Sequence, residues 1–162
     1  MRSIRLTQDI VNDLNRLMAE EAEASLRYFQ MRFRLRGADR EAGEAFFAEA
    51  VKETTEHADA IAQQIRALGH VPRLRIDVTL HGDPMRFEEA LAEALDVEQQ
   101  ALDAYKDFLP RVQGHPTLED FIRRQIDIET EHVRHIADAL RAGGPLQVLS
   151  PAFPGAGADQ PD

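Results

Sequence analysis

A glutamate and a histidine three residues apart stand where the last amphipathic segment of the chain should be apolar. Its inward positions, three or four residues apart, include Leu118, Ile122, Glu129, His132 and Ile136. On a helix, residues three apart lie one above the other, so Glu129 and His132 would face the core together. Burying a carboxylate and an imidazole is costly unless something offsets their charge and lone pairs. A divalent metal ion would do so.

Three earlier amphipathic segments also carry polar residues in the middle of their apolar stripes. The first, from about residue 7 to 36, has Glu21; the second, from about residue 43 to 68, has Thr54 and His57. The third, from about residue 83 to 112, has Glu98. Chance would place glutamates on the polar faces, not repeatedly in mid-stripe. We therefore predict one polar layer at a common level of a helical bundle.

Local signals set the boundaries of four helices. Thr7 is a candidate N-cap of the first helix, and Gly37 suits the left-handed position after its end. Asp83-Pro84 has the acidic cap and early proline of a helix start, and Pro110 should kink or end that third helix. Thr117, with Asp120 three residues on, predicts the start of the fourth.

The longest connection joins the second and third helices. From His70 to His81 apolar and polar residues alternate as in an edge strand, but we identify no second strand to pair with it. We predict a crossover along the bundle that joins parallel neighbours. Residues 1–144 then form an all-α four-helix bundle, and residues 145–162, rich in Pro, Gly and Ala, form a tail.

Composition narrows the possible functions. The chain has 162 residues, a net charge of -10 and no cysteine. The negative charge argues against binding nucleic acid or anionic membranes, and the lack of cysteine excludes disulfides, iron–sulfur clusters and thiolate zinc sites. No segment approaches the roughly 20 apolar residues of a membrane span. We expect a cytoplasmic protein whose partners are cations.

The two halves of the chain share a spacing. Glu21 precedes Tyr28 by seven residues, and Glu98 precedes Tyr105 by seven. The inward histidine follows the glutamate after 36 residues in the first half and after 34 in the second. This pattern is typical of a duplicated helical hairpin.

Superposing the halves places Thr54 where Glu129 stands. The second half therefore has a complete Glu-x-x-His motif, and the first has Thr-x-x-His. Glu53 lies one turn before His57 and could lean toward it, whereas Glu56 should face solvent.

Carboxylates and imidazoles from four helices match the ligand set of bundle di-iron and di-manganese sites, and they also suit zinc. In those sites two helices each give a Glu, and two give a Glu-x-x-His. The alternative is a hydrogen-bonded polar layer that holds no metal.

The chain resembles the ferritin-like superfamily, and most closely bacterioferritin, between about residues 9 and 140. The resemblance rests on four groups of residues around the polar layer. They are Leu14-Asn15-Arg16-Leu17 with Glu21 and Tyr28-Phe29; His57-Ala58-Asp59 with Gly69-His70-Val71-Pro72; Leu95-Asp96-Val97-Glu98; and Glu129-Thr130-Glu131-His132.

This resemblance implies a ferritin-like bundle with helices ordered up-down-down-up. Its site would bind two irons, oxidise Fe(II) with oxygen or peroxide, and pass Fe(III) to a mineral core inside a hollow shell. Carried onto matching positions, Glu21 and Glu98 are the carboxylates of the first and third helices. His57 would bind one metal, His132 the other, and Glu129 would bridge them.

Other positions match the family in part. Tyr28 would be a hydrogen-bond partner beside the site. Thr54 stands where a second bridging glutamate is expected, and Glu53 is a candidate substitute ligand. Thr55 replaces the axial methionine of haem-binding members, so we expect no haem. The residues after Gly144 lack the pattern of the short fifth helix of large shells, which leaves the assembly size open.

We therefore expect a homo-oligomeric, bacterioferritin-like ferroxidase or iron-storage subunit that uses iron, with manganese or zinc as alternative metals. Two other functions stay open. One is a di-metal oxidase or peroxidase of the superfamily that stores no mineral. The other is a metal-binding structural bundle in which Thr54 impairs oxidation.

Overall fold

Four long helices make up most of the molecule. The computed structural model describes the backbone of residues 2–142 and the side chains of residues 7–142. The helices are α1 Arg2–Arg34, α2 Arg40–Ala67, α3 Phe87–Phe108 and α4 Pro116–Ala142. The predicted all-α four-helix bundle is confirmed. The predicted tail falls on residues outside the described range.

The predicted crossover between α2 and α3 runs beside α1. Near its start, the Arg73 backbone N–H donates to Asn15 Oδ1 over 2.7 Å. Near its end, Arg34 Nε donates to the Asp83 carbonyl oxygen over 2.7 Å. Asn15 and Arg34 are about five helical turns apart, so the crossover carries the chain back along the bundle. This confirms the connection expected between parallel neighbours.

Two short strands, which the sequence did not predict, tie the helix ends together. β1 (Leu35–Arg36) pairs in parallel with β2 (Met85–Arg86) and places the end of α1 beside the start of α3. The prediction that the third helix begins at Asp83-Pro84 was therefore wrong. The Arg86 backbone N–H instead donates to Glu89 Oε2 over 2.7 Å and caps α3.

Other helix ends also differ from the predictions. α1 begins before Thr7, and α4 begins at Pro116, one residue before the expected Thr117 cap. The side chain of Glu119, not that of Asp120, accepts a backbone N–H there, from Gly114 over 2.7 Å. At the end of α3 the expectation held, because the chain passes into a 3-10 turn that contains Pro110.

The apolar core forms two clusters with a polar layer between them. In each helix, one cluster lies before the polar positions and the other lies after them. The first cluster includes Tyr28, Met31, Phe46, Phe47 and Phe87. The second includes Leu14, Leu17, Ile61, Ile65 and Ile122. The layer is therefore screened from water at both ends of the bundle.

Each helix in the described part of the chain is too short or too polar to cross a membrane.

Candidate metal centre

The five inward polar residues of the predicted site come together in the layer between the two core clusters. Glu21, Glu98, Glu129 and His132 are buried, and Glu129 is only 1% exposed. His57 is slightly more open, with 12% of its side chain exposed. Each of the four helices contributes at least one of these side chains, as the apolar stripes predicted.

Glu129 lies between the two histidines. Its Oε1 is 3.2 Å from His57 Nδ1, and its Oε2 is 3.4 Å from His132 Nδ1. The two imidazole rings are nearly parallel, with centroids 5.7 Å apart. One carboxylate therefore faces both histidines at once, through a different oxygen for each.

A second carboxylate lies near the same nitrogen of each histidine. Glu21 Oε2 lies 3.6 Å from His57 Nδ1, and Glu98 Oε2 lies 3.2 Å from His132 Nδ1. Among the described residues, two groups have ligand atoms within 4.8 Å of one another, and they share Glu129. The groups are Glu21, His57 and Glu129, and Glu98, Glu129 and His132.

Two buried tyrosines hold the outer carboxylates. Tyr28 donates its hydroxyl to Glu98 Oε1, and Tyr105 donates to Glu21 Oε1 over 2.5 Å. The sequence prediction gave a role beside the site to Tyr28 alone. The repeated seven-residue spacing from glutamate to tyrosine was the signal for Tyr105. In both bonds, the tyrosine of one hairpin binds the glutamate of the other.

Thr54 and Glu53 occupy the side of α2 nearest the layer. Thr54 is buried, and its hydroxyl donates to the Ala50 carbonyl oxygen of its own helix over 2.7 Å. Glu53 is 8% exposed. Its Oε2 lies 3.6 Å from His132 Nε2, although we had expected it to lean toward His57.

The protonation of the metal-free layer reflects a surplus of buried carboxylates. Burial raises the pKa of Glu53 to about 7, and burial also raises that of Glu98. Burial alone would lower the pKa of His57, but the neighbouring carboxylates of Glu129 and Glu21 raise it to about 11. Burial would also lower the pKa of His132, but the neighbouring Glu129 and Glu98 raise it to about 9.

The residues present suit a pair of divalent cations. Four carboxylates and two imidazoles meet in the interior, which is more negative charge than two histidines can neutralise. Both oxygens of Glu53, Oε2 of Glu129 and Nδ1 of His57 are buried and make no hydrogen bond to the described residues. Mixed oxygen and nitrogen donors of this kind suit iron, manganese or zinc.

A cavity of about 730 Å³ between α1 and α3 leads to this layer. Its wall includes Glu21 and Tyr105, which belong to the candidate centre. Six further carboxylates also line it, beside apolar side chains and Arg27, and they would favour the approach of cations. They are Glu20, Glu23, Glu93, Asp96, Asp103 and Asp107.

We predict that the metal-free protein loses stability as pH rises above about 6.5. The pKa values of His132 (about 9) and His57 (about 11) exceed the ordinary 6.5, so the folded state holds extra protons. The resulting stabilisation is complete below pH 6.5 and is lost as pH rises through 9 and then 11. The raised pKa of Glu53 acts in the same direction.

Melting temperatures of chelator-treated protein from pH 6.5 to 10 would measure this effect. His132→Gln should give a flatter curve than the wild type. A wild-type melting temperature that stays constant or rises over this range would contradict the prediction.

Comparisons with known proteins bear on the fold and the family of the chain. The family model described as "Ferritin-like domain" matches residues 11–143. A search of curated proteins gave no match. Among solved structures, a protein described as ferritin-like and diiron-carboxylate, from Bacillus anthracis str. Ames, superposes with a TM-score of 0.72. The match has 22% sequence identity and covers 83% of this chain and 97% of that one, so it supports the fold. The chain belongs to the ferritin-like domain family.

Proposed function

We propose that this protein binds two iron ions in the polar layer and oxidises Fe(II) with oxygen or peroxide. The observation that carries the proposal is the position of Glu129, which faces Nδ1 of both histidines through separate oxygens. A carboxylate in that position can bridge two metal ions. A solved structure to which the chain is similar is described as a diiron-carboxylate protein, which supports iron as the metal.

The proposed ligands fall into two sets. Glu21 and His57 would hold one ion, Glu98 and His132 would hold the other, and Glu129 would contact both. Fe(II) is the substrate in this proposal. Two Fe(II) ions give up two electrons, which with two protons convert one O₂ to H₂O₂, or one H₂O₂ to two waters.

The protein groups have distinct tasks in this reaction. The carboxylates stabilise the rising positive charge as Fe(II) becomes Fe(III). Tyr28 and Tyr105 each hold one oxygen of a glutamate, which leaves the other oxygen, Oε2, directed at a histidine. Each protonated histidine must lose one of its two ring protons to bind metal, so binding releases protons from the layer.

An anaerobic Fe(II) titration tests the proposal. We expect saturation at about two ions per chain, as in other bundle sites of this type, and a ferric absorbance when oxygen or peroxide is added. Glu129→Gln should lower both the iron stoichiometry and the oxidation rate, because it removes the charge that the two ions share.

Glu56→Gln is the matched control, because Glu56 is an exposed glutamate of α2 outside the layer. Saturation without a ferric absorbance would contradict the oxidation step. The absence of saturable binding would contradict the metal site itself.

Thr54 supports a second candidate function, a metal-binding bundle with impaired oxidation. Thr54 is uncharged, and its hydroxyl is hydrogen-bonded within α2. The position that corresponds to Glu129 in the other half therefore has no carboxylate. If this substitution limits activity, Thr54→Glu should raise iron affinity and oxidation rate roughly tenfold or more, since even residues outside the ligand set have effects of that size.

Thr54→Gln controls for side-chain size without adding charge. Oxidation rates of the two variants, measured at saturating Fe(II), separate the possibilities. No gain in Thr54→Glu over Thr54→Gln would count against an activity impaired at this position.

We further propose that the protein is a homo-oligomer. The large apolar side chains that are exposed in the described part of the chain all lie on α1 and the adjoining crossover: Leu26, Phe29, Phe33, Val71 and Leu74. Phe33 is 68% and Val71 79% exposed. An apolar face of this kind is typical of a surface that another protein covers.

A second copy of the chain fits this face. Phe29 and Phe33 lie toward the end of α1, where the crossover finishes, whereas Val71 and Leu74 lie where the crossover begins. A two-fold axis between the two ends would set the aromatic end of one copy against the aliphatic end of the other. Such a self-complementary contact is the usual form of a symmetric dimer.

Phe33→Asp should therefore shift the protein toward a smaller assembly, because it places a charge in the contact. Light scattering after size exclusion measures the mass, and Gln8→Asp, exposed on the same helix, is the control. A monomeric wild type would contradict the proposal. A wild-type dimer would exclude mineral storage, which requires a hollow shell, and would favour an oxidase or peroxidase.

A further inference from the structure

Glu53 is a buried carboxylate that neither ligand set includes. It is 8% exposed, and neither of its oxygens makes a hydrogen bond to the described residues. A histidine of the centre lies beside it, with His132 Nε2 3.6 Å from Glu53 Oε2. Burying a carboxylate without a partner is costly, so this position needs an explanation.

The two nitrogens of His132 face different groups. Nδ1 faces Glu98 at 3.2 Å and Glu129 at 3.4 Å, both in the proposed ligand set. Nε2 faces Glu53 on the other edge of the ring. A neutral imidazole has one N–H and one lone pair, and the partner of one nitrogen decides which form is present. A carboxylate at Nε2 favours the proton there and leaves the lone pair of Nδ1 for a metal.

The helix geometry separates Glu53 from the position of the missing bridging glutamate. Neighbouring residues on a helix project about 100° apart, so a side chain at 53 does not follow the direction of one at 54. Glu53 is also absent from both groups whose ligand atoms lie close enough to share an ion. It therefore stands behind His132 and not between the two metal positions.

The first half of the site has a carboxylate with no counterpart in the second. With His57 superposed on His132, Glu53 corresponds to Ile128, which is apolar. The carboxylates that approach His57 do so most closely at Nδ1. Among the described residues, the ion pairs of His57 are thus formed at Nδ1, whereas His132 has one at Nε2.

We propose that Glu53 is a positioning residue for His132. The two groups are 3.6 Å apart in the metal-free protein. When His132 binds a metal ion through Nδ1, Glu53 accepts the Nε2–H, fixes the tautomer and orientation of the ring, and makes the position formed by Glu98, Glu129 and His132 the tighter of the two. This inference rests on the proposed di-metal function. Glu53 acts through His132 and does not replace the carboxylate that is missing at Thr54.

Calorimetric titration of the full chain with Co(II), used as a divalent probe in place of Fe(II), tests the inference. The wild type should bind two ions with unequal affinity. Glu53→Ala should weaken the tighter step by about 10- to 100-fold and leave the weaker step unchanged. Glu53→Gln should retain most of the affinity, because its amide oxygen still accepts the Nε2–H.

The Gln variant separates a positioning residue from a ligand. If Glu53 binds the metal through its charge, Glu53→Gln will lose as much affinity as Glu53→Ala, and the inference is wrong. If Glu53→Ala does not fold, Glu53→Gln decides alone: near-wild-type affinity supports positioning, and a loss of tenfold or more overturns it. Glu56→Ala, on the exposed side of α2, should bind Co(II) like the wild type.

The tautomer gives a second measurement. In the Zn(II)-loaded protein, nitrogen NMR should show a proton on Nε2 of His132 in the wild type and in Glu53→Gln. Two Co(II) ions bound equally well by the wild type and Glu53→Ala would overturn the role of Glu53 but leave the proposed function standing. A wild type that binds no Co(II) would refute both.

Discussion

The contact of Glu129 with both histidines is the interaction on which the rest of the bundle depends. Glu129 is only 1% exposed, so its carboxylate can stay ionised only if nearby groups compensate its negative charge. In the metal-free protein, His57 Nδ1 at 3.2 Å and His132 Nδ1 at 3.4 Å provide that compensation. Burial would raise the pKa of Glu129, but the neighbouring His132 and His57 outweigh that effect, so the pKa is lowered. Removal of one partner would leave a buried charge uncompensated, which typically costs about 3–5 kcal/mol. The polar layer therefore contains the candidate metal centre, and its burial is costly in folding free energy.

The antiparallel packing of α1 and α3 explains how the tyrosines brace this layer. Seven residues are about two helical turns, or roughly 10 Å, so a tyrosine cannot easily bond the glutamate of its own helix. On antiparallel helices, the same offset brings each tyrosine level with the glutamate of the other. The bonds from Tyr28 to Glu98 and from Tyr105 to Glu21 are the result. The duplicated spacing thus links the two hairpins across the site.

The sequence predicted the features that depend on helix periodicity. The inward stripes placed Glu21, Glu98 and Glu129 at one level, because burial on a long helix repeats every three or four residues. The pairing of β1 and β2 was missed, since each strand has only two residues and Leu35 continues the apolar stripe of α1. The sequence also could not predict that Glu53 would lie beside Nε2 of His132. That contact depends on the rotation of α2 against α4, which residue spacing does not determine.

Net charge gives a reason for the chain to keep Glu53 while it has Thr54. A symmetric site with a glutamate at 54 would have four carboxylates, enough to neutralise two divalent ions bound by neutral histidines. Thr54 lowers that number to three, and Glu53 restores it to four from a position behind His132. The layer thus has the same number of carboxylates as the symmetric site. Their distribution differs, because Glu53 lies beside one metal position only. In the proposed reaction, the two positions would therefore differ in affinity and in the ease with which each Fe(II) gives up its electron.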